Sequence, residues 1–197
     1  MYRIGLTGNI ATGKSTVAQM LRELGAEVLD ADRLTHAALA PDGAAYAGVV
    51  AAFGEDILSV DGTINRETLG ALVFNDPAKL AQLEAIIHPP VIAEIERRIA
   101  QSRSVAVVVE AIKLLESGLA TNYDAIWVTT CPEALQLERL LATRQLTRED
   151  ALRRIHAQPP QHAKIARADV VLDTDATLEQ THAQVLAAWA RIQEIKK

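Results

Sequence analysis

The chain has 197 residues and a net charge of −5, and it is 49% hydrophobic, 23% charged and only 4% aromatic. That length supports one sizeable core with an inserted subdomain, and the acidic balance argues against a duplex nucleic-acid surface, which is rich in Lys and Arg. The single cysteine, Cys131, excludes an intramolecular disulfide and a cysteine-built metal cage, and no apolar run reaches the roughly 18 residues of a membrane span.

Tyr2 to Leu6 is a short apolar run before Gly8 and reads as a buried strand. From Lys14, the positions Val17, Met20, Leu21 and Leu24 follow helical spacing, and Gly25 stands where a helix-ending glycine belongs. Ala26 to Leu29 is a second apolar run, closed by Asp30, Ala31 and Asp32. Strand, helix and strand in so short a stretch make a βαβ unit and predict a parallel sheet. Residues 33–102 lack any β-branched run and read as helices over about 33–40, 44–53, 66–74 and 77–101, with a turn at "SVDGTI". "HPP" at 88–90 is expected to break or kink the longest of them. Strands return at Val105–Val109, Ala125–Thr130 and Val170–Leu172. A helix over about 133–144 and a charged stretch from Arg144 to Arg167 separate the last two. A final helix over about 177–195 is expected to bury Leu178, Val185, Leu186, Trp189 and Ile192 on one face.

Gly8, Gly13, Lys14 and Ser15 satisfy G-x-x-x-x-G-K-[ST], a match that chance produces in about one chain of this length in a hundred. It falls between a predicted strand and a predicted helix, where phosphate cradling requires it. The glycines let main-chain N–H groups turn inward, and the helix start adds its positive partial charge. Lys14 is expected to bridge the β- and γ-phosphates, Ser15 can ligate Mg²⁺, and Thr16 would sit near the α-phosphate. Neither N-K-x-D nor D-x-x-G occurs, so adenine is the expected base rather than guanine.

A kinase acting on a small molecule needs a carboxylate beside the acceptor hydroxyl. Asp30 and Asp32 end the second strand at the carboxyl edge, where ligands bind, and share one side if the strand stays extended that far. Asp32, further out, is better placed to meet a substrate; either residue can instead cap the next helix. Arg139 and Arg144 supply cations, but five residues span roughly 140° of a continuous helix. Both face one phosphate only if the helix ends between them, and a break before "LTRED" lets Arg144 swing in on a lid. Glu110, closing the third strand, can hold Mg²⁺ through water or serve as a helix N-terminal carboxylate. His88 alone reads as a packed structural residue, and Cys131 as an inert core thiol.

Together these residues resemble the dephospho-coenzyme A kinase family over essentially the whole chain. The resemblance runs through "GLTGNIATGKST", "LGAEVLDADRLTH", "DGTINRETLGALVF", "LEAIIHPPV", "CPEALQLERLLATRQLTREDALRRIHAQ" and "KIARADVVLD". It implies an α/β, three-layer P-loop NTPase fold with a five-stranded parallel sheet, a helical substrate-binding insert and a helical lid. The implied partition is a core of 1–32, 103–140 and 168–197, an insert of 33–102 and a lid of 141–167. The implied reaction is ATP-dependent phosphorylation of the ribose 3′-hydroxyl of dephospho-CoA, the last step of CoA synthesis, with Mg²⁺. The resemblance assigns catalysis to Asp32, Lys14, Thr7 and Arg139. ATP binding falls to Gly8, Ala11, Thr12, Gly13, Lys14, Ser15, Thr16, Arg144 and Asp173. Substrate binding falls to Asp32, Arg66, His88 and Glu110.

The chain departs from the family pattern at Ile112-Lys113, where proline is usual, at Asp173, where asparagine is common, and at Asn9, where glycine is commoner. An anionic Asp173 cannot donate a hydrogen bond to adenine at neutral pH. The implied state is a monomer or weak homotrimer, with no nucleic-acid or membrane partner. Gly8, Asn9, Gly13 and Lys14 interrupt the opening segment before a signal-peptide core develops, so a cytoplasmic location is expected. Two other readings share the loop. A shikimate- or nucleoside-monophosphate-type kinase would lack the helical insert, and a non-catalytic ATP-binding module would need no carboxylate at position 32.

Overall fold

The computed structural model describes residues 1–74, 76–116, 119–144 and 146–195. In chain order the elements are β1 (Tyr2–Thr7), α1 (Lys14–Glu23), β2 (Glu27–Asp30), α2 (Ala31–Ala38), α3 (Tyr46–Phe53), α4 (Arg66–Phe74) and α5 (Pro77–Gln101). They continue with β3 (Ala106–Glu110), β4 (Ala125–Thr130), α6 (Glu133–Arg144), α7 (Arg148–His156), α8 (Gln161–Ile165), β5 (Val170–Asp173) and α9 (Leu178–Ile195). Contacts divide the chain into two compact units, Met1–Leu29 with Ser102–Lys197, and Asp30–Gln101.

The first unit is built on a five-stranded parallel sheet of order β2-β3-β1-β4-β5. β1 is central, paired with β3 from Tyr2↔Ala106 to Leu6↔Glu110 and with β4 from Ile4↔Ala125 to Thr7↔Val128. Strand alternation sends Ile4, Leu6, Ala106, Val108, Ala125 and Trp127 to one face. There they pack on Val17 and Leu21 of α1 and on Val185, Trp189 and Ile192 of α9. Ile126 and Val128 point to the opposite face, against Leu114 and Leu115. Gly5 makes room there: a Cβ on it would lie 3.0 Å from both Ile126 Cδ1 and Leu114 Cδ2. α1 ends as its sequence predicts, with Gly25 at φ 93° just past the last turn. The final helix differs from expectation. Val185, Ala188, Trp189 and Ile192 are buried, but Leu178 is 67% exposed and Leu186 41%. Leu186 lies about 100° around the helix from Val185, beyond the buried stripe, and Leu178 sits in the first turn.

The second unit is helical. Ile87, Val91, Ile95 and Ile99 recur every four residues along α5 and form its buried stripe; the helix packs on α2, α3 and α4. Of the break or kink expected at "HPP", the break does not occur: α5 is one continuous helix with Pro89 and Pro90 inside it. Two missing N–H groups cost hydrogen bonds, but the stripe of aliphatic side chains on either side of them is buried as one surface. The turn between α3 and α4 is closed by a bridge between Leu58 and Ile64, with Gly62 at φ 80°. Tyr46 donates its hydroxyl to the Gly62 carbonyl at 2.6 Å.

The second strand also ends earlier than its sequence suggests. β2 stops at Asp30, whose side chain accepts from the Arg33 N–H at 2.9 Å and caps α2. Asp32 therefore stands exposed in the first turn of a helix, and strand alternation does not relate it to Asp30.

Candidate active site

The loop from Gly8 to Gly13 joins the central strand to α1 at the carboxyl edge, where the strand order reverses; open α/β sheets bind ligands there. Its curl rests on named contacts. Gly8 (φ 156°) lies so close to β4 that a Cβ would stand 2.3 Å from Thr129 Oγ1 and 2.6 Å from the Thr129 carbonyl. Thr12, fully buried, donates to the Asn9 carbonyl at 2.8 Å and shares a 2.8 Å hydroxyl contact with Thr129. Gly13 adopts φ 82° at the helix start. The remaining positive φ falls on Ala11, at 59°; among the described residues no other non-glycine has one. Asn9, where the sequence pattern favours glycine, has a negative φ or extended backbone and uses its side chain instead. Its Nδ2 donates to the Pro159 carbonyl at 2.8 Å, and the Ile10 N–H donates to Gln158 Oε1 at 2.8 Å. The Ile10 side chain is buried among Leu137, Leu140, Ala151 and Ile155 of α6 and α7.

The electrostatics suit an anion. α1 starts with no side-chain cap and no acidic residue in its first turn, so its first N–H groups keep their positive end. Lys14, 8% exposed, donates Nζ to the Gly8 and Asn9 carbonyls at 2.8 and 3.1 Å. Ser15 and Thr16 follow on the exposed side, and Ser15 Oγ lies 3.5 Å from Glu110 Oε1 at the end of β3. A cleft of about 620 Å³ opens beside them, lined by Ser15, Thr16, Met20, Leu178 and His182 and, among others, by the acidic Glu23 and Glu179. Thr7, buried at the end of β1, donates to the Ile112 carbonyl at 3.1 Å.

α6 continues through both arginines and separates them. Arg139 turns onto the loop, donating Nη1 to the Ala11 carbonyl at 3.1 Å, while Arg144 is exposed in the last turn. Asp173 uses its carboxylate on the Asp175 N–H at 2.9 Å; the next residue, Thr174, is the one that meets the loop. Burial pushes the Cys131 thiol up, partly offset by Arg139, in keeping with an inert core residue.

In the helical unit, Asp32 and His36 lie one turn apart on α2, and Arg66, first residue of α4, directs Nη1 at the His36 ring. His88 is half-buried inside α5. The structure thus gathers Thr7, Gly8, Ala11, Thr12, Gly13, Lys14, Ser15, Glu110 and Arg139 in one unit, with Asp32, Arg66 and His88 in the other. Sequence reasoning missed Thr129, Gln158 and Thr174. Thr129 lies within β4, Gln158 two residues past α7 and Thr174 one residue past β5; only Thr174, next to Asp173, carried a positional signal.

A family model described as dephospho-CoA kinase matches residues 2–180. The chain belongs to the dephospho-CoA kinase family. The dephospho-CoA kinase of Carboxydothermus hydrogenoformans is 43% identical over 93% of this chain and 90% of its own length. Among solved structures, TT1252 from Thermus thermophilus is 33% identical with a TM-score of 0.85, covering 96% of this chain and 97% of that one. The dephospho-CoA kinase from Campylobacter jejuni is 25% identical with a TM-score of 0.69, covering 99% and 98%. Membership makes the chain a kinase of the P-loop type and removes the non-catalytic module and the shikimate-type enzyme from contention.

Proposed function

We propose that this chain transfers the γ-phosphate of ATP to the ribose 3′-hydroxyl of dephospho-CoA, giving CoA and ADP. The observation that carries the reading is the curled loop ending in buried Lys14 and an uncapped helix start, in a member of this family. The loop N–H groups and Lys14 hold the β- and γ-phosphates, while the mostly apolar cleft beside Thr16, Met20 and Leu178 suits the nucleoside. A hydroxyl and a carboxylate oxygen stand together at Ser15 and Glu110, the hard oxygen donors that Mg²⁺ takes alongside phosphates and water. These two residues would hold the ion, which when bound neutralises phosphate charge.

Asp32, exposed two residues past β2, receives the proton of the acceptor hydroxyl as bonding to phosphorus develops. Arg139 and Arg144 supply positive charge, with Arg139 already turned to the loop. Thr7 lines the reaction centre. Arg66, His88 and the helices of 33–102 bind dephospho-CoA, and 141–167 acts as the lid that keeps water from the γ-phosphate. No helix among the described residues is long and apolar enough to cross a membrane; we take the enzyme to work in the cytoplasm, as a monomer or weak homotrimer. The test is coupled ADP release with Mg²⁺–ATP against dephospho-CoA, shikimate and nucleoside monophosphates. Turnover with dephospho-CoA alone is expected; turnover with only the monophosphates would overturn the reading.

A further inference from the structure

The residue after β5 does more than leave the sheet. Thr174 is 5% exposed, and its N–H completes the β4–β5 edge by donating to the Thr130 carbonyl at 2.9 Å. Its side chain points the other way, into the phosphate loop. The hydroxyl donates to the Thr12 carbonyl at 3.0 Å, with the Thr130 carbonyl at 3.3 Å, and accepts from Arg139 Nη1 at 3.0 Å. Its carbonyl accepts from Arg139 Nη2 at 2.7 Å. A hydroxyl has one proton and two lone pairs. The Thr12 carbonyl is the nearer of the two acceptors, so the proton goes to Thr12. The methyl group packs where a Cβ on Gly13 would lie, 3.2 Å away.

We propose that Thr174 is the positioning residue of the phosphate loop. It fixes Thr12 and Gly13 directly, and it orients Arg139, whose Nη1 also reaches the carbonyl of left-handed Ala11. Three consecutive loop residues, Ala11 to Gly13, are thus referenced to the end of β5 through one side chain and its guanidinium partner. Losing the hydroxyl leaves the sheet edge intact, because the main-chain bond to Thr130 does not depend on it. What relaxes is the loop: the Thr12 carbonyl loses its partner and Arg139 loses one of its two anchors on Thr174. The effect should therefore fall on nucleotide binding and not on the acceptor.

The inference rests on reading Gly8 to Ser15 as the nucleotide loop, and the experiment separates the two. Calorimetry of the unaltered protein with Mg²⁺–ATP tests that reading alone. Steady-state kinetics then compare Thr174→Val, which keeps shape and loses the hydroxyl, with Thr174→Ser, which keeps the hydroxyl. Thr174→Val is expected to raise KM for ATP about tenfold, the scale of one hydrogen bond to a charged group, with KM for dephospho-CoA unchanged. Thr174→Ser should recover most of the loss. A Thr174→Val enzyme with unaltered KM for ATP, an equal rise in both KM values, or a serine variant no better than valine would overturn the proposal. If Thr174→Val does not fold, Thr174→Ala is the second variant, with the same split expected; failure of both to fold would make Thr174 a stability element and equally overturn it.

Discussion

Lys164 and Thr7 share one acceptor: the Ile112 carbonyl receives Lys164 Nζ at 2.8 Å and Thr7 Oγ1 at 3.1 Å. Lys164 is buried, and its ammonium also meets Glu116 Oε1 at 2.7 Å. α8 is thereby tied to the segment that follows β3. Because Glu116 is partly exposed, loss of the pair is screened. Lys164→Met should still lower unfolding free energy by about 2 kcal/mol, below the cost of breaking a fully buried pair. Urea unfolding measures this, and an unchanged midpoint would refute the bracing role.

Asp32→Asn keeps shape and hydrogen-bonding capacity but cannot accept the hydroxyl proton. Turnover should fall by two or more orders of magnitude, about 3 kcal/mol in the barrier, with ATP affinity within a few-fold. Single-turnover kinetics and ATP titration separate the two quantities. Undiminished turnover would remove Asp32 from the chemistry.

Ala11 holds φ 59°, a region that disfavours any side chain with a Cβ. Ala11→Gly relieves that cost and adds some unfolded-state entropy, for a net gain of about 0.5 kcal/mol. Thermal unfolding should show a slightly raised Tm, and a lowered Tm would mean that the left-handed geometry carries no strain.

Gly8→Ala has no such latitude, since the new Cβ would meet main-chain and hydroxyl oxygens of Thr129. The loop must shift, so nucleotide binding is expected to disappear while far-ultraviolet circular dichroism stays native. Calorimetry with ATP provides the readout, and retained affinity would contradict the cradle geometry.

Glu94 on α5 accepts from Arg97 and Arg98, and those hydrogen bonds hold its carboxyl at about 2. The folded value lies below the unfolded one, so its stabilisation is present above the ordinary carboxylate range and fades as pH falls toward 2. A carboxyl-detected NMR titration should show Glu94 titrating at about 2, below the ordinary carboxylate range. Glu94→Gln should flatten the acid limb of the stability curve.

Much of this was legible in the chain. The phosphate loop announced itself because glycines, lysine and serine must stand at fixed intervals for main-chain N–H groups to converge. The inner strands β1, β3 and β4 announced themselves as aliphatic runs that are largely buried. Other features depend on partners far away in sequence. Nothing near "HPP" shows that the stripe Ile87, Val91, Ile95 and Ile99 carries α5 across two prolines. The end of β2 stayed open in the sequence because Asp30 serves equally well as a strand end and as a cap; in the structure it caps α2. Thr174 was overlooked beside Asp173 because its importance lies in what the fold brings to it: Thr12, Gly13 and Arg139.

Ile10, sunk among Leu137, Leu140, Ala151 and Ile155, gives the loop an oily foot to match its polar ties. A segment rooted at so many points has already surrendered its freedom. Nucleotide entry then incurs little ordering entropy in Gly8–Gly13 itself, so any slow step of capture should belong to closure of 141–167 and not to rearrangement of the loop.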